Sequence, residues 1–151
     1  MAHSRIRILF GMRDDSQMTE PMNLMLLSAL AKKHFDADIG LWVMERDDLD
    51  ETIKKFHPDL VAFSGITGSH KYYIEAAYRI KKIDKNIKII VGGPHFTFFP
   101  EEISRHNCLD ALCVGEGDDA WVEWLSALIN NSNPNEIRNI ITREKIGRAH
   151  V

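Results

Sequence analysis

Cysteine is scarce in this chain: Cys108 and Cys113 are the only two in 151 residues. Two cysteines build no disulfide framework, so a small stapled secreted scaffold is excluded. They read as a buried Cys113 in a strand and an incidental Cys108 rather than as a metal pair. Long apolar runs are also missing, and none approaches the roughly 18 residues that a membrane helix needs. The opening MAHSRIRILFG has too short an apolar stretch for a secretory signal. Nor is there any excess of positive charge. Lys and Arg number 19 against 22 Asp and Glu, interspersed, for a net charge of −3. That balance argues against a nucleic acid or an anionic membrane as partner. A cytoplasmic location is the resulting expectation.

What is present is the composition of a globular domain, 44% hydrophobic and 27% charged, at a length suited to a single core. Apolar runs recur at residues 6–10, 39–44, 60–64, 87–91 and 111–114. They are continuous rather than alternating, as in parallel strands covered on both faces. Helical patterns lie between them. Tyr73, Ala76, Ala77 and Ile80 share one face, while Lys71, Glu75, Arg79 and Lys82 take the other. Trp121, Trp124, Leu125 and Leu128 repeat the spacing, with Asp118 and Asp119 as first-turn acids suited to the helix dipole. Residues 21–35 read as a helix apolar over much of its girth and therefore well buried. Residues 47–56 read as a shorter polar helix, and 100–106 as a turn or two. The alternation predicts a doubly wound α/β fold: a five-stranded parallel sheet with helices on both faces.

Ligands of such sheets bind outside the carboxyl ends of the strands. Those ends read FGMRDDS, SGITGS, VGGPHFT and VGEGDD, and they hold Gly11, Gly65, Gly68, Gly92, Gly93, Gly115 and Gly117 of the nine glycines. A rim so poor in side chains suits a large ligand that approaches the backbone.

Several chemistries lack their residues. No G-x-x-x-x-G-K-[ST] phosphate loop is present, and GEG at 115–117 lacks the third glycine of a dinucleotide fingerprint. A phospho-acceptor receiver domain shares the fold and would use acids such as Asp14 and Asp15. It also needs an Asp and a Lys where this chain has Ser64 and Gly115. Ser64 and His95 share the rim, but Ser64 lacks the G-x-S-x-G elbow of a hydrolase and no third member follows. Glu116 is placed either to accept a hydrogen bond from a ligand or to cap the following helix with Asp118.

SGIT, VGGPHFT and VGEGDD, in this order and spacing, resemble the cobalamin-binding domain at the N-terminus of cobalamin-dependent radical SAM enzymes. The likeness spans about residues 5–130. It implies a flavodoxin-like, Rossmann-like sheet with cobalamin across its carboxyl rim and the nucleotide tail running down into the domain. The residues it assigns to the cofactor are Gly11, Met12 and Arg13; Ser64, Gly65, Ile66 and Thr67; Gly92, Gly93, Pro94 and His95; and Gly115, Glu116 and Gly117. Ser64 and Thr67 would bond to base or phosphate, and Gly92 and Gly93 would let the tail pass against bare backbone. The family's D-x-H-x-x-G loop is absent: GMRDDSQMTEPM holds no histidine. Either the lower face of cobalt has no protein nitrogen ligand, with residues 12–19 shielding it, or the domain is a regulatory or interaction module that has lost the cofactor. The intact tail loops favour the first.

The C-x-x-x-C-x-x-C loop of radical SAM enzymes is absent too. The resemblance therefore assigns a binding domain without catalytic residues or protein metal ligands. A 4Fe–4S cluster and S-adenosylmethionine would belong to a C-terminal radical SAM domain of a methyltransferase or cyclase. The expected organisation is a cobalamin domain over 1–131, a linker or the start of a following domain over 132–145, and a non-native tail over 146–151. The tail, IGRAHV, is what a common sequencing adaptor encodes in one frame (ATC GGA AGA GCA CAC GTC), as in a truncated reading frame.

Overall fold

The five apolar runs become five parallel strands: β1 (Ile6–Met12), β2 (Ala37–Val43), β3 (Leu60–Ser64), β4 (Lys88–Gly92) and β5 (Ala111–Cys113). The structure is a computed structural model and describes residues 5–14 and 21–149. A sixth strand, β6 (Ile140–Thr142), pairs antiparallel with β5, and the sheet order is β2-β1-β3-β4-β5-β6. The five-stranded expectation is thereby corrected. Ile-Ile-Thr is too short to show a period, and its strand character comes from closing the β5 edge, where Ile140 is fully buried. The segment 132–145, expected as a linker or a new domain, contains this strand.

Each βα crossover carries a helix. On one face lie α1 (Met22–His34) and α6 (Asp118–Asn130); on the other lie α2 (Leu49–Phe56), α3 (His70–Ile83), α4 (Pro94–Phe98) and α5 (Glu102–Arg105). The chain then enters a last helix, α7 (Arg143–Ala149). Because side chains alternate along a strand, β3 sends Val61 and Phe63 into the α2/α3 core and Leu60 and Ala62 into the α1/α6 core. Asp48 caps α2 by accepting from the Glu51 N–H at 2.8 Å. The α3 pattern holds as read: Tyr73, Ala76, Ala77 and Ile80 are buried.

Two burial expectations fail. In α1 only Leu24 and Ala31 are buried, while Met22, Met25 and Leu26 are 74%, 55% and 46% exposed. One stripe of the helix meets the sheet, and its first turn overhangs the carboxyl rim. The cysteines also exchange roles. Cys108 is fully buried in the loop before β5, whereas Cys113, at the open end of β5, is only partly covered. Among the described residues no helix is long and apolar enough to cross a membrane.

Candidate functional site

A cavity of about 310 Å³ opens at the carboxyl ends of β3, β4 and β5, on the α1/α6 face. Ser64, Gly92, Gly93, Cys113 and the 115–117 turn form its floor, with Leu24 and Leu27 of α1 and Trp121 of α6 as walls. The Trp121 indole N–H donates to the Leu27 carbonyl oxygen at 2.9 Å and locks the walls together. A larger cavity of about 760 Å³ lies at the amino end, near Pro58 and Asn86. The carboxyl cavity is the candidate because open α/β sheets bind ligands at that end.

The rim glycines divide by cause. A Cβ on Gly93 would stand 2.7 Å from Ser64 Oγ and 2.9 Å from Gly65 backbone atoms, and φ there is +95°. Gly93 is thus a glycine because the β3 loop presses on it. The Gly65 N–H donates to the Gly92 carbonyl at 2.9 Å, and the His95 N–H to the Gly65 carbonyl at 3.0 Å. Gly92 differs: its Cβ would meet Cys113 at an ordinary 3.6 Å. Among the described residues Gly117 likewise would meet only the Cys113 sulfur, at 3.5 Å. Among the described residues nothing in the packing forbids a side chain at these two floor positions, so what they leave free is cavity.

Ser64 hydrogen-bonds not to His95 but to Asn23, whose Nδ2 donates to Ser64 Oγ at 2.8 Å. His95 pairs through Nδ1 with Thr67 Oγ1 at 3.0 Å. The Ser64–His95 hydrolase arrangement therefore has no geometric basis. Glu116 lines the cavity, and α6 starts from Gly117 with no side-chain cap, which leaves the capping role unfilled.

Of the expected cofactor residues, the cavity gathers Ser64, Gly92, Gly93, Gly115, Glu116 and Gly117. The others lie elsewhere. Gly11 faces the α2/α3 core, where a Cβ would enter the Phe63 ring at 2.2 Å. Met12 packs partly buried, while Arg13 pairs with Glu45 at 3.0 Å and lies over the Tyr72 ring. Gly65 packs under Phe96, Ile66 is exposed, and Pro94 opens α4. Of the shielding loop expected over 12–19, residues 15–19 lie outside the described residues.

His95 is buried between the rings of His70, 3.5 Å away at 11°, and Phe99, 4.9 Å away. Glu102 Oε1 stands 3.7 Å from His95 Nε2. Near-parallel imidazoles hold their in-plane lone pairs side by side, so His70, His95 and Glu102 as arranged stack rather than converge on an ion. Burial and the adjacent His95 hold His70 below the ordinary histidine pKa. Among the described residues no histidine lines the cavity. Burial raises both thiols, Cys108 to about 11 and Cys113 in the same direction.

The sequence reading missed the cavity's α1 wall. Asn23, Leu24 and Leu27 sit one crossover away from the glycine motifs, and no local signal ties them to the rim. Asn23 opening an apolar helix beside a glycine-rich rim was the available hint.

The family described as the B12 binding domain matches residues 15–125. The chain is 32% identical over 125 residues to an uncharacterized methyltransferase of Pyrococcus horikoshii, covering 80% of this chain and 27% of that protein. It is 26% identical over 106 residues to the cytidylyl-2-hydroxyethylphosphonate methyltransferase of Streptomyces wedmorensis, covering 70% and 20%. It therefore spans about a quarter of the length of these curated relatives. The structure of the radical S-adenosylmethionine methyltransferase TsrM from Kitasatospora setae, with cobalamin and a [4Fe-4S] cluster bound, superposes with a TM-score of 0.76. That likeness is 16% identical in sequence and covers 92% of this chain and 29% of TsrM. The rim cavity, its bare floor and the match over residues 15–125 converge: this chain belongs to the B12 binding domain family.

Proposed function

We propose that the chain is the cobalamin-carrying domain of a larger cobalamin-dependent radical SAM enzyme, a methyltransferase or a cyclase. The observation that carries the reading is the cavity floor, bare at Gly92 and Gly117 although the packing of the described residues admits a Cβ at both. Its roughly 310 Å³ suits a nucleotide-sized group and is too small for a whole corrinoid. The tail would enter, and the corrin would remain at the rim. Ser64 supplies a hydroxyl, Glu116 a carboxylate, and Leu24, Leu27 and Trp121 an apolar sleeve that excludes water. Cobalamin, when bound, supplies the cobalt centre on which a methyl group is carried. S-adenosylmethionine and the iron–sulfur cluster would be handled by a C-terminal radical SAM domain in a longer chain. The names of the two curated relatives favour a methyltransferase.

The stretch GMRDDSQMTEPM at residues 11–22 holds no histidine, which supports a lower cobalt face without a protein nitrogen. Met22, Met25 and Phe98, exposed around the rim, favour the second reading, an interaction module without cofactor. One experiment separates the two. Protein mixed with hydroxocobalamin, desalted and examined by visible absorption should retain the corrin bands. Paramagnetic resonance of the reduced sample should show no coupling to an imidazole nitrogen. A folded protein that emerges colourless supports the interaction module, and nitrogen coupling from the protein overturns the lower-face assignment.

A further inference from the structure

We propose that Asn23 is a positioning residue: it fixes the Ser64 hydroxyl so that the cavity offers a donor there and selects a nucleotide base bearing an acceptor nitrogen. This rests on the cobalamin reading of the same cavity. Asn23 Oδ1 accepts the Leu24 backbone N–H at 2.9 Å, which settles which end of the amide is oxygen. Its Nδ2 must then donate to Ser64 Oγ, at 2.8 Å. A hydroxyl has one proton and two lone pairs, and the amide occupies one lone pair. The Ser64 proton is thereby turned away from Asn23. On another side the oxygen is wedged against Gly93, where even a Cβ would come within 2.7 Å. Among the described residues no acceptor takes this proton, and Ser64 lines the cavity.

The acidic side chains on the lining, Glu116 and Asp118, are acceptors when ionised. The cavity is therefore polarised, with a serine donor and carboxylate acceptors. A benzimidazole or purine base has a ring nitrogen to take the serine proton. A phenolic base has none, and a buried donor left unpaired loses the net value of its hydrogen bond.

The test measures dissociation constants by absorbance titration for cobalamin, a phenolyl cobamide and cobinamide, which lacks the nucleotide tail. Asn23→Ala, Asn23→Asp and Ser64→Ala are compared with the unaltered chain, with melting curves to verify folding. Asn23 is exposed, so its variants should fold. The unaltered chain should prefer cobalamin over the phenolyl cobamide by about tenfold, the value of one hydrogen bond. Asn23→Ala should shrink that preference severalfold and leave cobinamide binding unchanged. Asn23→Asp, whose carboxylate accepts the Ser64 proton, should shrink it at least as much. Ser64→Ala combined with Asn23→Ala should be no worse than Ser64→Ala alone. An unchanged cobalamin-to-phenolyl ratio in both Asn23 variants overturns the positioning role. Failure of the unaltered chain to bind any of the three corrinoids overturns the cobalamin reading and this inference with it.

Discussion

Ser64 Oγ lies so close over Gly93 that a single added Cβ would stand 2.7 Å from it, at a backbone φ of +95°. Two penalties therefore meet at one residue, a steric overlap with the β3 loop and a left-handed conformation that side chains resist. Gly93→Ala should destabilise the fold by about 2 kcal/mol or more, lowering the melting temperature by roughly 5 °C or more for a domain of this size. Thermal denaturation followed by circular dichroism measures this. An unchanged midpoint would mean that the loop yields freely.

The two thiols should react differently. Cys108 is buried with its pKa pushed up to about 11, so about one molecule in a thousand is thiolate near pH 8. It should resist iodoacetamide until the protein unfolds. Cys113 is also raised by burial but lines the cavity, so it should react slowly. Saturating hydroxocobalamin should slow Cys113 further and leave Cys108 unchanged. Mass spectrometry of alkylated peptides resolves the two sites. Equal Cys113 labelling with and without cobalamin would place the ligand elsewhere.

Cys108 also sets an alkaline limit on stability. Its folded pKa, about 11, exceeds the unfolded thiol value of roughly 8.5. Above that lower value the unfolded chain releases a proton that the folded chain keeps. The contribution is complete below about pH 8.5 and is lost progressively as pH rises toward 11. Urea unfolding at about pH 10 should show a loss of about 2 kcal/mol relative to pH 7, and Cys108→Ala should flatten that slope.

The stretch after α6 should matter to the fold. Ile140 is fully buried, and the Arg143 guanidinium donates to the carbonyls of Asn107 and Leu109. A chain ended at Asn131 loses both and bares the β5 edge. We expect a clearly lower urea midpoint and a tendency to associate, seen by size-exclusion chromatography. A monomer of unchanged stability would show β6 to be dispensable.

The parallel sheet was readable because its strands are continuous apolar runs and its helices keep a clean period. Tyr73, Ala76, Ala77 and Ile80 all point where the spacing put them. β6 was not readable, since three residues carry no period and their burial depends on β5 already being in place. The rim glycines were visible, but their reasons were not. Gly92 and Gly93 are adjacent in sequence, yet one faces a cavity and the other a serine across the sheet. The α1 wall was hidden for the same reason. Asn23 meets Ser64 only through the crossover, and α1 looked buried because composition does not say which stripe of a helix overhangs an edge.

Gly92 gives the most direct test of the cavity as the cobalamin site. Its Cβ would have ordinary space beside Cys113, so Gly92→Leu grows into the cavity rather than into the core. Hydroxocobalamin affinity of this variant and of the unaltered protein should be measured by absorbance titration, with melting curves run in parallel. We expect affinity to fall by tenfold or more, about 1.4 kcal/mol, with the melting temperature nearly unchanged. Undiminished affinity in the folded variant would contradict the placement of the nucleotide tail over this floor.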